Sequence, residues 1–192
     1  MMPRKLSKID ALAVFAAALM VAVTIFLPWW GLTFFAPQYP EGLRIIVYPY
    51  KMVGRIDIIN GLNHYIGMQP FSEDTFPELR YLPAVIGALA GLTLIAAIVR
   101  RAKLLYVVIG VYIIGGLAGI WDIYRWLSRF GLNLDPRAPI HIKPFIPPIL
   151  GANRIANFVT HSYFTYGSIL LGLAFLLLLA AAIHHRKSGK RP

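Results

Sequence analysis

The sequence predicts an all-α membrane protein: four transmembrane helices, with two long extracytoplasmic loops that pack together as a small mixed cap. Three observations carry that expectation. The 192-residue chain is 58% hydrophobic and only 14% charged, with a mean hydropathy of +0.64, whereas an ordinary soluble domain is about a quarter charged. Its apolar residues gather in four runs, at about 11–30, 83–99, 104–121 and 167–183. The basic residues cluster at alternate ends of those runs.

At about 1.5 Å per residue, runs of roughly 17–20 residues match a hydrocarbon layer about 30 Å thick. The first run has the look of a secretory signal, because Arg4, Lys5 and Lys8 precede it. Its apolar stretch nevertheless exceeds the roughly 7–15 residues of a signal core, and Pro28-Trp29-Trp30 stands where a small-residue cleavage site belongs, so it reads as a retained helix. The second run carries Gly87 and Gly91, four apart, and the third carries Gly115 and Gly119 at the same spacing. Small residues so placed let two backbones approach, which predicts a tight helical hairpin closed by the short turn at 100–103.

Ten of the 19 cations lie on the N-terminal tail (Arg4, Lys5, Lys8), that turn (Arg100, Arg101, Lys103) and the C-terminal tail (Arg186, Lys187, Lys190, Arg191), with Asp10 the one acid beside them. The other nine share the two loops with seven acids. By the positive-inside rule both termini face the cytoplasm, and the loops at 31–82 and 122–166 lie outside the cytoplasmic (inner) membrane. All four tryptophans, Trp29, Trp30, Trp121 and Trp126, fall at predicted outer helix ends, as an interfacial belt requires. The +11 charge is thus explained by the lipid bilayer as partner; no nucleic acid is expected.

Eleven of the 14 prolines fall in or at the border of the loops, which predicts turns and extended chain there. The β-branched and aromatic content of 43–48 and 54–59 predicts a hairpin through 49–53. Residues 121–130 read as a helical continuation ended at Gly131. The proline-rich stretches 135–139 and 144–148 read as extended segments lying across something else.

With no cysteine, disulfides, CxxC redox chemistry, thiolate zinc sites, iron–sulfur clusters and c-type haem attachment are excluded. A metal would need His, Met or carboxylate. In Gly61-Leu62-Asn63-His64-Tyr65-Ile66-Gly67-Met68, helical i, i+4 spacing would put the His64 imidazole and the Met68 thioether on one face. That donor pair suits copper, Cu(I) above all. Met52, His141, His161, Asp57 and Asp135 are the further loop donors, and a third ligand has to come from the second loop, with His141 or His161 as candidates. A hydrogen-bonded histidine beside a core methionine is the commoner meaning of such a pair. Haem held by His64 and Met68 together is disfavoured, because axial ligands approach from opposite faces. His184 and His185 are expected to be solvated at the inner lipid surface. The four runs hold no charged side chain, so a transporter acting alone is not expected.

The expected function is that of a non-enzymatic membrane accessory protein whose cap binds copper or delivers it to a membrane-bound or periplasmic oxidoreductase. The alternative is a non-catalytic structural subunit of a respiratory or transport membrane complex. A third reading is a membrane enzyme or lipid-binding protein with a pocket under the cap, lined by Tyr39, Tyr48, Tyr65 and Trp126.

The segments Tyr39-Pro40-Glu41-Gly42-Leu43, 60–68, 133–139 and 144–151 together resemble a family of prokaryotic four-helix membrane proteins whose motifs fall in the outer loops. The resemblance implies the four-helix architecture. It also implies relatives that accompany copper-dependent respiratory or nitrogen-oxide functions, and brings no activity to carry over.

Overall fold

A computed structural model of the chain describes residues 5–155 and 158–188; Arg4, Lys190 and Arg191 of the cationic tails lie outside them. In chain order the elements are α1 (Lys8–Thr24), β1 (Trp30–Ala36), β2 (Tyr39–Tyr48), β3 (Lys51–Gly54), α2 (Ile56–Tyr65), a 3-10 turn (Glu73–Thr75), α3 (Glu78–Val99), α4 (Ala102–Leu132), β4 (Gly151–Ile155), β5 (Phe158–Phe164) and α5 (Tyr166–Ser188). The all-α, four-helix expectation is therefore wrong. The fold is mixed, with a five-stranded antiparallel sheet in the order β3-β2-β1-β5-β4, and among the described residues three helices, α3, α4 and α5, are long and apolar enough to cross a membrane.

The error has a physical source. The apolar run at 11–30 is not one element: α1 stops at Thr24 after 17 residues, and Trp30 already belongs to a strand. Apolarity alone does not separate a helix from a buried strand, since both are hydrophobic on the faces they bury. The hairpin is also out of place. Its second strand is 51–54 rather than 54–59, because Ile56 opens a helix. The turn is Pro49-Tyr50, where the proline ring holds φ near −65° and excludes the positive-φ turns that two-residue hairpins usually adopt.

The helices pack as a bundle around α1, which lies between α3 and α5. Its buried positions, Val14, Ala17, Ala18, Val21 and Thr24, recur every three or four residues, and the alanines keep the axes close. Facing them are Ile86, Ala90, Thr93 and Ala97 of α3 and Ala174, Leu178 and Ala181 of α5. In lipid the hydrophobic effect gives helices little reason to associate, so close packing of small side chains matters more. The buried threonines donate to their own helices: Thr24 Oγ1 to Val21 O at 2.7 Å and Thr93 Oγ1 to Leu89 O at 2.7 Å. Pro83 sits inside α3, which starts at Glu78 rather than at the proline; the missing N–H leaves the Leu79 carbonyl without its helical donor.

The predicted glycine contact is not made within this chain. A Cβ built at Gly87, Gly91, Gly115 or Gly119 meets no atom outside its own helix within 4 Å. The α3–α4 hairpin instead closes at Arg100, the one described non-glycine residue with positive φ, at 57°. Its guanidinium donates to Leu6 O from Nε (3.0 Å) and Nη2 (2.6 Å), while Leu6 N–H donates to Arg100 O at 2.7 Å. The N-terminal segment is thereby pinned to the hairpin turn.

Next to that clasp, Ser7 and Asp10 form a capping box at the start of α1. Asp10 is buried, and its Oδ1 lies 2.6 Å from Nδ1 of His184 near the end of α5, with His185 Nδ1 at 4.0 Å from Oδ2. Of the two histidines expected to be solvated, His184 stays exposed while it contacts the buried carboxylate, and His185 is largely covered beside it. Burial pushes the Asp10 carboxyl up, but hydrogen bonds with Ser7 and His184 outweigh it and hold the group below its ordinary value. A carboxyl lowered on folding stabilises above its unfolded pKa and stops doing so as pH falls through the folded one. Asp10→Asn should therefore lower the thermal midpoint at neutral pH, by the equivalent of about 1.5–3 kcal/mol for a lost charge-assisted bond. It should also flatten the acid limb of a midpoint-against-pH series measured in detergent.

Candidate functional site

The cap is assembled from both loops. β1 pairs with β2 on one side and β5 on the other, so residues about 130 positions apart, Leu32 and Ser162 among them, are neighbours on one ladder. One face of the sheet carries Leu32, Phe34, Leu43, Ile45 and Met52 into a core closed by Ile59, Ile66, Phe71, Trp126 and Phe130. Phe130 is the hub, with ring centroids 4.7 Å from Phe71, 5.8 Å from Phe76 and 6.1 Å from Trp126. Asn60 brackets Phe71 as a strand neighbour would, its Nδ2 donating to Phe71 O at 2.9 Å and its Oδ1 accepting from Phe71 N–H at 2.7 Å.

The end of α2 sets up the candidate site. Gly67 has φ +76°, Gly67 N–H donates to His64 O and Met68 N–H to Asn63 O at 2.9 Å. This is the six-to-one and five-to-two bonding of a Schellman cap. The helix ends at Tyr65, so His64 and Met68 are not on one helical face. Met68 turns back to be 7% exposed, while His64 stays exposed. Over this corner runs the strap 133–150, which has no regular structure. Asp135 N–H donates to Gly67 O at 2.8 Å, Ile140 N–H to Tyr65 O at 2.9 Å, and Phe145 N–H to Gly131 O at 3.0 Å. A Cβ at Gly67 would stand 2.7 Å from Asp135 O, and one at Gly131 would fall on Phe145 O. Gly131 does not end α4, which runs on to Leu132; it lets the strap lie down.

Between α2 and the strap is a cleft of about 720 Å³, walled by His64, Met68, Gln69, Asn133, Asp135 and Arg137 among others. Asp135 accepts from Arg137 at both oxygens, Nε to Oδ1 and Nη2 to Oδ2 at 3.2 Å each, and from Arg137 N–H at 2.9 Å. The Arg137 guanidinium and backbone N–H, with His64 nearby, hold the Asp135 carboxyl below the usual range.

The structure brings two of the five expected metal donors into this cleft, His64 and Met68, and places the other three elsewhere. The exposed His141 turns its Nε2 to Pro136 O at 3.0 Å. On β5, Thr160 and Ser162 point into the core, so His161 projects from the opposite face, stacked on Tyr163 with centroids 5.9 Å apart. Met52 is buried, and its N–H donates to Glu73 Oε1 at 2.9 Å. Among the described residues no group of three or more His, Cys, Asp or Glu side chains is arranged to hold a metal ion.

Nor do Tyr39, Tyr48, Tyr65 and Trp126 line a common pocket. Trp126 is 8% exposed in the cap core and donates to Glu78 Oε1 at 3.2 Å, so it is not an interfacial ring. The enclosed apolar space in the cap, bounded by Leu32, Phe34, Leu62, Phe130 and Phe158, measures about 20 Å³. That is room for a single water, not for an acyl chain. Asn63 borders it, 1% exposed and with no partner for its Nδ2.

Arg137 is the residue of the cleft that composition did not point to; Asp135 was expected only as a further donor, Gly131 only as the end of α4, and Gly67 only as part of the His64–Met68 stretch. Gly67 was legible as a glycine one position beyond a helix cap; the others depend on where the strap falls. Compared with family models and with curated proteins, the chain matches none.

Gly67→Ala forces a Cβ into left-handed backbone, at about 1–2 kcal/mol, and drives it against Asp135 O. The expected outcome is a lower unfolding midpoint together with faster proteolysis within 133–150. Gln69→Ala, on an exposed neighbour, should change neither.

Proposed function

We propose that the chain is a non-enzymatic, membrane-anchored accessory protein, and that the cleft between α2 and the strap takes copper as Cu(I) through His64 and Met68. One observation supports this: these two side chains, an imidazole and a thioether, share the wall of a single open cleft in a chain without thiols. The pair is soft enough for Cu(I). Two donors give a site that holds copper loosely, as a carrier handing it to a membrane-bound or periplasmic oxidoreductase would require.

The membrane setting proposed is the cytoplasmic membrane, with the cap outside and both termini inside. The N-terminal segment, the α3–α4 turn and the end of α5 meet at one end of the bundle, as the Arg100–Leu6 and Asp10–His184 contacts require. That end carries Lys5, Lys8, Arg100, Arg101, Lys103, Arg186 and Lys187, which is the cytoplasmic signature.

A second reading, a non-catalytic structural subunit of a respiratory or transport membrane complex, is favoured by α4. Residues 113–121 are exposed, and Gly115, Gly116 and Gly119 have open space where a neighbouring helix would pack.

A competition titration with a chromogenic Cu(I) chelator separates the two. The wild-type chain should take one equivalent, and His64→Ala and Met68→Leu should each weaken it at least about tenfold, ~1.4 kcal/mol. Leu preserves the volume of the buried Met68 side chain, so loss of binding would not reflect a collapsed core. Equal and negligible binding by all three proteins would leave the structural reading.

A further inference from the structure

The turn between β2 and β3 lies at the foot of the cap, not at its crown. Trp30 pairs with Val47 on one side and Phe164 on the other, so these three residues form one row across the sheet. β5 leads into α5, a candidate membrane span that opens at Tyr166, two residues beyond that row. β2 runs in the same direction past the row, through Tyr48 to Pro49-Tyr50. At about 3.3 Å per residue the tip descends roughly 3–10 Å below the row, level with the first turn of α5. Trp29, between α1 and α5, ties the levels together. Its N–H donates to Val47 O at 2.8 Å, its Nε1 to Thr24 O at 2.9 Å, and its carbonyl accepts from Ser168 Oγ at 2.7 Å.

The chemistry at the tip suits that depth. Tyr48 and Tyr50 have ring centroids 6.0 Å apart, and Lys51 Nζ lies 5.3 Å from each. Tyr50 is 41% exposed, Pro49 is buried, and among the described residues Lys51 pairs with no carboxylate. Glu73, which reaches the same strand from the 3-10 turn, is spent on Met52 N–H. An ammonium held between two phenol rings offers a cation and hydroxyl groups together, which is what a lipid phosphate accepts, and tyrosine favours the headgroup layer.

We propose that Tyr48-Pro49-Tyr50-Lys51 is a membrane foot, seated in the headgroup layer against the phosphate of anionic lipids. It would steady the cap over the bilayer from the side of the sheet opposite β4, away from the strand that leads into α5.

The absence of cysteine makes the test direct, because any cysteine introduced is the only one. The full chain carrying Tyr50→Cys, and separately Gln38→Cys at the far end of the sheet, is nitroxide-labelled in nanodiscs of phosphatidylcholine with phosphatidylglycerol. The Tyr50→Cys label should be shielded from a water-soluble nickel relaxant, while the Gln38→Cys label remains open to it; equal exposure of the two overturns the proposal. For the phosphate, the unlabelled chain should unfold about 2–4 °C higher in phosphatidylglycerol discs than in pure phosphatidylcholine. Lys51→Glu should lower that increment, while the cations at the opposite end of the bundle keep the remainder. An increment unchanged by Lys51→Glu overturns recognition at this site, whether or not copper binds the cleft.

Discussion

The ladder between β1 and β5 is the constraint on which the rest depends. Each strand is joined by a short link to a helix of the bundle, β1 to α1 through residues 25–29 and β5 to α5 through Thr165, and the two helices pack against each other below. Six residue pairs of antiparallel ladder therefore convert two proline-rich excursions into one sheet. Closing a loop of some 130 residues costs entropy that grows only with the logarithm of its length. Because α1 and α5 are already in contact, most of that cost is met in the bundle. The remaining strands add outward from this pair in local hairpins, β2–β3 on one flank and β4 on the other.

α4 links the two halves by a different device. Its buried residues fall in two sets, Leu105, Val108 and Tyr112 in the bundle, then Trp126, Leu127, Phe130 and Gly131 in the cap. Between them, over 113–121, the helix is exposed on all sides. Where it enters the cap, Arg125 bridges Asp122 and Glu78, joining α4 to the start of α3. The same guanidinium lies 4.8 Å from the Trp126 ring centroid. The cap thus rests on a continuous helix rather than a linker, and the last residue of that helix, Leu132, stands in the cleft wall.

The cleft itself comes from two places where chain crosses chain without room for a side chain. At Gly67 the left-handed backbone ends α2 and receives Asp135; at Gly131 the absence of a Cβ admits Phe145. These contacts hold the strap over His64 and Met68 while leaving space beneath. The cap core beneath is close-packed around Phe130, which is why the open volume lies at its edge.

Much about this protein was determined by local composition. Helices α3, α4 and α5 were legible because each is a run of apolar residues long enough to satisfy its backbone within lipid. The turn chemistry at 100–103, the extension of the third run past Trp121 and the irregular strap were legible from cations, periodicity and proline. Tertiary structure decided the rest. The strand at 43–48 was legible within β2, but β1 was missed because Trp30–Ala36 continues the apolarity of α1 and only pairing shows it to be sheet. Asp10 and His184, 174 residues apart, meet only when α1 and α5 align. The i, i+4 spacing of His64 and Met68 placed them on one face, whereas a positive φ at Gly67 separated them and a strap from the other loop gave them a shared cleft. A side chain's chemistry belongs to its residue, but its partners belong to the path of the backbone.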